Sequence, residues 1–295
     1  MRLADDATLE RVYREVIRDV LFGDARASAH PRAVIVGGQP GAGKTAALLD
    51  ARRQLAAAGD GVAFINGDEL RPYHPMYGQL VAADPAKAAD RTGADVGWWV
   101  ERGIREAARS HFHSVVETTM RQPAIVARTA ADFAAQGFQV EMRVLVVDPE
   151  LSRQGIYQRY ARALAKAHAP PRFTLARYHD DALAQMPATL AAVAASVHLV
   201  RFVDRQGREL QAGSPAASSP VSVLHRLRAS ELPTDVRQLV GREWARLRSV
   251  LDRDGVPDVV REGVRQEEAR FAAWQARQDA GGSPGRQPPQ RDPER

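Results

Sequence analysis

One segment near the N-terminus combines residue types that suit the binding of a phosphate chain. Its eight residues are Gly38-Gln39-Pro40-Gly41-Ala42-Gly43-Lys44-Thr45, a GxxxxGK[ST] pattern. Glycines let backbone N–H groups curl around a phosphate, the lysine can reach its outer oxygens, and the threonine hydroxyl can coordinate Mg²⁺. The segment therefore predicts the binding of a nucleoside triphosphate together with Mg²⁺.

The flanks of this segment are those that a phosphate-binding loop requires. The apolar run 33–36 predicts a strand directly before it, and Leu48 and Leu49 lie in a predicted helix directly after it. A helix that begins at the phosphate adds the positive end of its dipole. The alternative is a glycine-rich strand-to-helix turn without a ligand, which the complete motif disfavours.

An acidic residue follows the second predicted strand. Asp68 comes just after the run 62–66. We expect it at the carboxyl end of the strand next to the phosphate-loop strand, at the edge where ligands bind in open α/β sheets. There its carboxylate could accept a proton from an acceptor hydroxyl. A helix N-cap explains Asp68 equally well, because Asp followed by Glu-Leu is a favourable helix start.

The third predicted strand, 114–117, also ends in polar residues. Glu117, Thr119 and Arg121 place an acid, a hydroxyl and a guanidinium at the same sheet edge. Glu101 lies on the helix before this strand. From its residue type alone, a solvated helix face is the simpler interpretation of Glu101.

A second acid resembles a magnesium-binding residue. The apolar run 144–147 ends at Asp148, as in the strand that carries a magnesium-ordering acid in many nucleotide-binding proteins. However, Asp148 followed by Pro149 is also a good helix start, with aspartate as the N-cap and proline at the first helical position. We favour the cap.

Short β-branched runs alternate with helical patterns, which predicts an α/β fold with a parallel sheet. The predicted strands are 33–37, 62–66, 114–117, 140–147 and 197–203, with a hairpin over 201–210. The predicted helices are 44–58, 94–110, 123–136, 149–168 and 174–195, and Pro170 with Pro171 separates the last two.

The chain divides by composition into a large domain and an extension. We predict one domain over 1–212 that begins with an amphipathic helix at 8–22, and a Ser-, Pro- and Ala-rich linker over 213–222. Two charged helices at 234–253 and 256–278 form a helical extension within 223–280. The end, 281–295, is predicted to be disordered by its composition.

Composition excludes several classes of protein. The 295 residues contain no cysteine, so disulfides, thiolate metal sites and cysteine nucleophiles are excluded. No signal-like or membrane-spanning apolar run is present, which predicts a cytoplasmic protein without membrane contact. The net charge is +5, but basic residues alternate with acids along the chain. A diffuse basic surface is therefore favoured over a nucleic-acid-binding site.

Together, the motifs resemble the zeta-toxin family of P-loop kinases, whose characterised members phosphorylate UDP-N-acetylglucosamine within toxin–antitoxin pairs. The resemblance covers roughly residues 8–210. It rests on the phosphate loop with Gly37 before it, Asp68 followed by His74-Pro75-x-Tyr77, the acid-x-Thr-x-Arg motif from Glu117 to Arg121, and the pair Arg159 and Arg172. It implies a P-loop kinase-like parallel sheet flanked by helices.

The resemblance also implies a role for each matching residue. Lys44 and Thr45 serve ATP and Mg²⁺, and Asp68 is the catalytic base on the sugar 3′-hydroxyl. Arg159 and Arg172 clamp the transferring phosphoryl group, a task that suits arginine because its planar charged fork can hold two phosphate oxygens. Arg162 and Arg177 are nearby alternatives on the same helices. The implied acceptor-binding residues are Asp68, His74, Glu101, Glu117, Thr119 and Arg121.

Two positions depart from the family pattern. Thr118 and Met120 stand where the family usually has glycines, which predicts a bulkier acceptor pocket. We therefore predict an ATP- and Mg²⁺-dependent small-molecule kinase that acts on a nucleotide sugar and has a protein antitoxin as its partner. Two alternatives remain open: a kinase of another acceptor, such as an NAD-like nucleotide or an antibiotic hydroxyl, or a non-catalytic nucleotide-binding interaction module.

Overall fold

The computed structural model describes residues 2–57, 59–166 and 171–281. The chain forms two compact units, Met1–Leu232 and Pro233–Arg295. The predicted disordered tail beyond 281, the last residues of the predicted helix 149–168 and the break at Pro170 lie outside the described residues. None of the described helices is both long and apolar enough to span a membrane.

A six-stranded sheet forms the centre of the first unit. Its strands are β1 Arg32–Gly37, β2 Ala63–Ile65, β3 Ser114–Thr118, β4 Gln139–Leu145, β5 Leu199–Val203 and β6 Glu209–Gly213. They lie in the order β2-β3-β1-β4-β5-β6. The first five strands are parallel, and β6 pairs antiparallel with β5, which confirms the parallel sheet and the terminal hairpin.

The strand order corrects the predicted position of Asp68. The strand that precedes it, β2, pairs with β3 and not with β1. The neighbour of β1 on this side is β3, which carries Glu117. The sequence could not give this order, because each run reads as a buried strand whichever neighbour it has. Both strands nevertheless end at the same sheet edge as β1.

Helices cover both faces of this sheet. They are α1 Asp6–Val12, α2 Arg18–Phe22, α3 Thr45–Ala56, α4 Gly67–Leu70, α5 Tyr77–Ala83, α6 Ala88–Arg91, α7 Gly93–Arg109, α8 Pro123–Ala135, α9 Pro149–Leu164, α10 Ala176–Val193 and α11 Pro220–Arg228. The long predicted helices match α3, α7, α8, α9 and α10. Sequence periodicity missed α4, α5 and α6, because each of these helices has at most seven residues.

The predicted N-terminal helix forms and continues through a π-helical turn at Tyr13–Ile17. Leu9, Tyr13, Ile17 and Leu21 recur every four residues and are all buried. The helix begins at Asp6 rather than Thr8, because Asp5 caps it by accepting a hydrogen bond from the Thr8 N–H at 2.7 Å. The buried stripe packs into the core of the first unit.

The first unit extends beyond the predicted boundary at residue 212. Helix α11 starts at Pro220, inside the predicted linker, and its Val223 and Leu224 are buried in the main core. A short Ser- and Pro-rich stretch therefore connects two elements of one unit. Ser219 caps α11 by accepting from the Ser222 N–H, which is why these linker-like residue types occur there.

The second unit consists of two packed helices, α12 Thr234–Leu251 and α13 Asp258–Gly281. The predicted pair of helices is confirmed. Buried apolar residues recur along both helices with helical spacing, namely Val240, Trp244, Leu247, Leu251, Val260, Val264 and Phe271. The helices contact each other, and Gly241 lies close to the Phe271 ring.

Candidate active site

A cleft of about 820 Å³ opens at the carboxyl ends of the strands. Segments distant in the sequence meet there, since parallel strands direct all their carboxyl ends to one edge. The charged residues that line the cleft are Arg2, Lys44, Asp68, Arg71, Asp90, Glu101, Glu117, Arg121, Arg159 and Arg172. Six cations and four acids converge on one cavity, an arrangement suited to anionic ligands.

The phosphate loop follows β1 and leads into α3, as its flanks predict. Gly41 and Gly43 have positive φ angles of 79° and 89°, a conformation that favours glycine. A Cβ at Gly41 would lie 1.9 Å from the carbonyl oxygen of Ser152, so the first turn of α9 also packs directly on the loop. The loop is thus fixed by both backbone conformation and close packing.

Lys44 lies between the loop and β3. Its Nζ donates to the Gly38 carbonyl oxygen at 2.9 Å and forms an ion pair with Glu117 Oε1 at 3.1 Å. The Lys44 side chain is 11% exposed, and that of Glu117 is 16% exposed. The ammonium group is therefore held at the junction of the loop and the predicted acceptor motif.

The next strand end places Asp68 among arginines. Arg172 donates to Asp68 Oδ2 at 2.6 Å, and Arg71 donates to Asp68 Oδ1 at 3.1 Å. Burial alone would raise the pKa of Asp68, but Arg172, Arg71 and Arg159 outweigh it and lower the pKa to about 2. The carboxylate is still 41% exposed to the cleft. An ionised, accessible carboxylate is what a hydroxyl-binding base requires.

The alternative role of Asp68 as a helix N-cap is wrong. The cap of α4 is Asn66, whose side chain accepts a hydrogen bond from the Asp68 N–H at 3.0 Å. The Asp68 side chain is thereby left to face the cleft.

The two predicted clamp arginines also line the cleft. Arg159 projects from α9 and donates to Thr174 Oγ1 at 2.6 Å, while Arg172 precedes α10. Desolvation and the nearby Arg172 both lower the pKa of Arg159. The alternative Arg177 forms an ion pair with Asp90 at 3.1 Å. Neither it nor Arg162 is among the described residues that line the cleft.

The predicted acceptor residues Glu101, Glu117, Thr119 and Arg121 also line this cleft. Glu101, on α7, pairs with Arg128 at 2.6 Å. The guanidinium of Arg121 lies 4.5 Å from the ring centroid of Tyr178, within cation–π distance. These contacts hold Glu101 of α7 and Arg121, which follows β3, at the same cleft.

Below this space the cleft deepens into a recess of about 260 Å³. Its apolar walls are Ile35, Val96, Val100, Ile104, Val116 and Val126, and it shares Asp68, Glu101 and Glu117 with the main cleft. Gly97 lies at the junction of the two cavities, and a Cβ built on it would have no atom within 4 Å. The cleft thus offers a ligand charged walls, and the adjoining recess offers apolar walls.

Thr45 is the predicted Mg²⁺ residue, and Asp148 is the residue for which a helix cap was favoured over a magnesium role. Thr45 starts α3 and is exposed, so its hydroxyl can face a metal bound at the phosphates. Asp148 caps α9 by accepting from the Glu150 N–H at 2.7 Å, which confirms the cap interpretation. Burial raises the pKa of Asp148.

The structure contradicts the predicted acceptor role of His74. Its side chain is fully buried, and its Nε2 lies 2.8 Å from Asp95 Oδ2. The Nδ1 atom accepts a hydrogen bond from the Met76 N–H at 3.2 Å, which leaves the proton on Nε2. His74 therefore holds a buried carboxylate and does not face the cleft. Its position in the His-Pro motif did not reveal this burial.

The structure also contradicts the bulkier pocket predicted from Met120. The Met120 side chain is 0% exposed and packs under Gly37, away from the cleft. Its φ of 57° is the left-handed conformation that favours glycine. Thr118 does line the apolar recess. Of these two positions, only Thr118 therefore contributes atoms to the lining of the recess.

A buried network supports the loop from below, which the sequence did not predict. Gln39 is fully buried, and its Nε2 donates to the Val147 carbonyl oxygen at 2.9 Å and to Ser152 Oγ at 3.1 Å. Ser152 in turn lies 2.8 Å from His179 Nε2, and His179 Nδ1 lies 3.0 Å from Asp180. Ser152 and His179 are completely buried, so this Ser-His-Asp arrangement is closed to substrates and positions the loop.

Arg71 and Arg2 are further cleft residues that were not predicted from the sequence. A signal for Arg71 existed, because it follows Asp68 by three residues and a helical turn brings such pairs together. For Arg2 we find no signal in the sequence, since the fold alone brings the N-terminal segment to the cleft.

The sheet order, the phosphate loop after β1 and the charged cleft at its end define a P-loop kinase-like α/β protein. The zeta toxin family model matches residues 18–211, well over half of the chain. The chain therefore belongs to the zeta toxin family.

Individual relatives agree with this family. Toxin PezT of Streptococcus pneumoniae is 27% identical over 155 residues, which cover 52% of this chain and 60% of that relative. Toxin zeta of Streptococcus pyogenes is 24% identical over 225 residues, with 75% and 77% covered. A solved structure from the PezAT chromosomal toxin–antitoxin system of Streptococcus pneumoniae has a TM-score of 0.69 at 20% identity, covers 85% of this chain and 98% of that chain, and shares the fold.

Proposed function

We propose that this protein is an ATP- and Mg²⁺-dependent kinase that phosphorylates the 3′-hydroxyl of UDP-N-acetylglucosamine and acts as the toxin of a toxin–antitoxin pair. One observation carries the kinase proposal. A phosphate loop with its lysine, an ionised Asp68 and two arginines line the same cleft. Family membership supports the toxin role, and the resemblance of the acceptor motif supports the acceptor.

The loop end of the cleft suits ATP. Positive-φ glycines shape the loop, and α3 begins at Thr45, so its first N–H groups and its dipole face the loop. Lys44 would exchange its contact with Glu117 for phosphate oxygens. Bound Mg²⁺ would neutralise charge on those oxygens, and Thr45 is the residue that would hold it.

Asp68 would act as the base on the acceptor hydroxyl. The hydroxyl proton passes to the Asp68 carboxylate, the acceptor oxygen forms a bond to the γ-phosphorus, and the bond to ADP breaks. With a pKa near 2, the carboxylate is ionised but weakly basic while Arg172 contacts it. Transfer of Arg172 from Asp68 to the phosphoryl group would raise that basicity as the reaction begins.

Arg159 would complete the stabilisation of the phosphoryl group. The lowered pKa of Arg159 reflects a guanidinium already desolvated and close to a second arginine. Two cations held together by the fold, before any anion arrives, are an arrangement that favours a transition state with charge spread over phosphoryl oxygens. Thr174 fixes the direction of Arg159 through its 2.6 Å hydrogen bond.

The acceptor end of the cleft offers both acids and an apolar surface. Glu101, Glu117 and Thr119 can bind sugar hydroxyls, and Arg121 can bind an anionic group. Since Met120 lies in the core, it does not restrict the space for a nucleotide sugar. Depletion of such a precursor would make the enzyme toxic, and a protein antitoxin that covers the cleft and the N-terminal helix is the expected partner.

The test is a phosphoryl-transfer assay with ATP and Mg²⁺, in which UDP-N-acetylglucosamine and NAD are supplied separately. The wild-type chain should form a 3′-phosphorylated nucleotide sugar. Asp68→Asn should not, whereas Asp90→Asn, which changes another carboxylate of the same cleft, should retain activity.

Three results would contradict parts of this proposal. Phosphorylation of NAD alone would leave a kinase with a different acceptor. Consumption of neither acceptor while ATP still binds would favour a nucleotide-binding interaction module. Equal activity of Asp68→Asn and wild type would remove Asp68 as the base.

A further inference from the structure

We propose that Arg2 binds a phosphate of the acceptor, and that buried His74 and Asp95 position the N-terminal segment that carries it. This inference rests on the proposed kinase function and concerns the acceptor side of the same cleft. It assigns to the His-Pro motif a positioning role in place of direct substrate contact.

The N-terminal segment is attached to a buried carboxylate. Asp95, near the start of α7, is completely buried, and its Oδ2 accepts hydrogen bonds from the Leu3 N–H at 3.0 Å and the Ala4 N–H at 3.1 Å. His74 Nε2 lies 2.8 Å from the same oxygen. A buried carboxylate is costly without such donors, so these three contacts depend on one another.

Arg2 lies on the acceptor side of the cleft. It immediately precedes Leu3 and lines the cleft together with Trp98, Gly97 and Glu101. These residues belong to α7, on the acceptor side of the cavity and not in the phosphate loop. The ion-pair partner of Arg2 is Asp6, at 2.6 Å, whose side chain is 75% exposed. Such exposed pairs are weak, so a ligand phosphate can replace Asp6.

The positive charge of Arg2 remains available to an anionic ligand. Apart from Asp6, two acids that line the cleft have partners of their own, since Glu101 pairs with Arg128 at 2.6 Å and Asp90 pairs with Arg177 at 3.1 Å. They therefore do not neutralise Arg2. A guanidinium in this position can bind two oxygens of a phosphate at once. A nucleoside diphosphate sugar supplies such oxygens at a distance from its reacting hydroxyl.

Arg2→Gln tests the contact, with Arg14→Gln as the matched control. Arg14 is an exposed arginine of the helical segment that follows Arg2, and it pairs with Glu10. We expect Arg2→Gln to raise the KM for UDP-N-acetylglucosamine about 10-fold, because a hydrogen bond to a charged group is lost. The KM for ATP should change less than about 2-fold, and Arg14→Gln should leave both constants unchanged.

A double-mutant cycle tests the positioning role. His74→Leu should raise the acceptor KM as much as Arg2→Gln, and the double variant should be no worse than either single one, because His74 acts through Arg2. His74→Gln, whose amide can donate to Asp95, should restore most of the wild-type KM. Thermal melts of all variants would separate this effect from unfolding.

Calorimetric binding of UDP-N-acetylglucosamine separates this inference from the proposed activity. If the wild type binds the nucleotide sugar and Arg2→Gln binds it about 10-fold more weakly, the inference holds even where no phosphorylation is observed. Equal KM values and equal binding for Arg2→Gln and Arg14→Gln would overturn it while leaving the kinase intact. Absence of wild-type binding, or multiplicative effects in the double variant, would also overturn the stated roles.

Discussion

The two ends of the cleft are built in different ways. At the loop end, one continuous segment, 38–45, supplies the phosphate-binding groups through its backbone and a single lysine. At the acceptor end, several separate segments supply the side chains, among them Asp68, Glu101 and Arg121. The loop end is therefore specified by local sequence, while the acceptor end depends on the fold, and changes at the two ends should have separable effects.

The largest expected effect separates chemistry from ATP binding. Asp68→Asn should lower kcat by roughly 10²- to 10⁴-fold, which is the usual contribution of a general base. The KM for ATP should change little, because Asp68 lies after β2 and not in the loop. Steady-state kinetics would show this, with Asp90→Asn as the control. A comparable loss of kcat in both variants would mean that the overall charge of the cleft, and not a general base at Asp68, determines the rate.

The next effect concerns the rigid loop. Gly41→Ala combines a strained positive φ with a Cβ at 1.9 Å from Ser152, so the free energy of unfolding should fall by roughly 2–5 kcal/mol. Urea unfolding measures this change. Gly78→Ala is the control, because its Cβ meets no atom within 4 Å in helix α5. Equal stability of the two variants would contradict the close packing of α9 on the loop.

A smaller effect should be confined to the acceptor end. Gly97→Leu would fill the junction of cleft and recess while replacing a helix-interior glycine, which by itself stabilises a helix by roughly 0.5–1 kcal/mol. We expect an acceptor KM raised about 10-fold, an unchanged KM for ATP and no loss of stability. Gly78→Leu supplies the comparison. An unchanged acceptor KM would place the acceptor outside the recess.

The smallest effect is a pH dependence of stability. The pKa of Asp68 is lowered from its ordinary value of 3.8 to about 2, so its ion pairs stabilise the fold above pH 3.8 and this contribution is lost as the pH falls towards 2. Because the carboxylate is 41% exposed, solvent screening reduces the contribution to about 1 kcal/mol. The difference in unfolding free energy between wild type and Asp68→Asn should shrink as the pH is lowered from about 4 to about 2. A difference independent of pH would contradict the ion pairs.

The strand, loop and helix of the phosphate-binding segment were predicted from the sequence, whereas the buried network beneath the loop was not. The residue types of 38–45 and their strand and helix flanks are local properties, and local properties survive folding. The same holds for the cap at Asp148, because aspartate followed by proline is a favourable helix start.

Prediction was less complete at the acceptor end, for physical reasons. The order of strands in a sheet depends on contacts between segments that are far apart in the sequence. The apolar runs that predict the strands therefore did not show that β3 lies between β1 and β2. His74 illustrates the same limit, since a histidine that binds a substrate and one that holds a buried carboxylate look alike in sequence. Arg2 reaches the cleft only because contacts some 90 residues apart attach its segment to Asp95.

Met120 has a consequence for changing the acceptor by design. Its side chain is anchored in the core beneath Gly37, its N–H donates to Thr118 Oγ1 at 3.1 Å, and its carbonyl oxygen accepts from Thr189 at 2.8 Å. The residues on either side, Thr119 and Arg121, are thereby preorganised at the rim before any substrate arrives. New specificity should therefore be sought by varying these two neighbours, while Met120 and Gly37 form a coupled pair that can be exchanged only together.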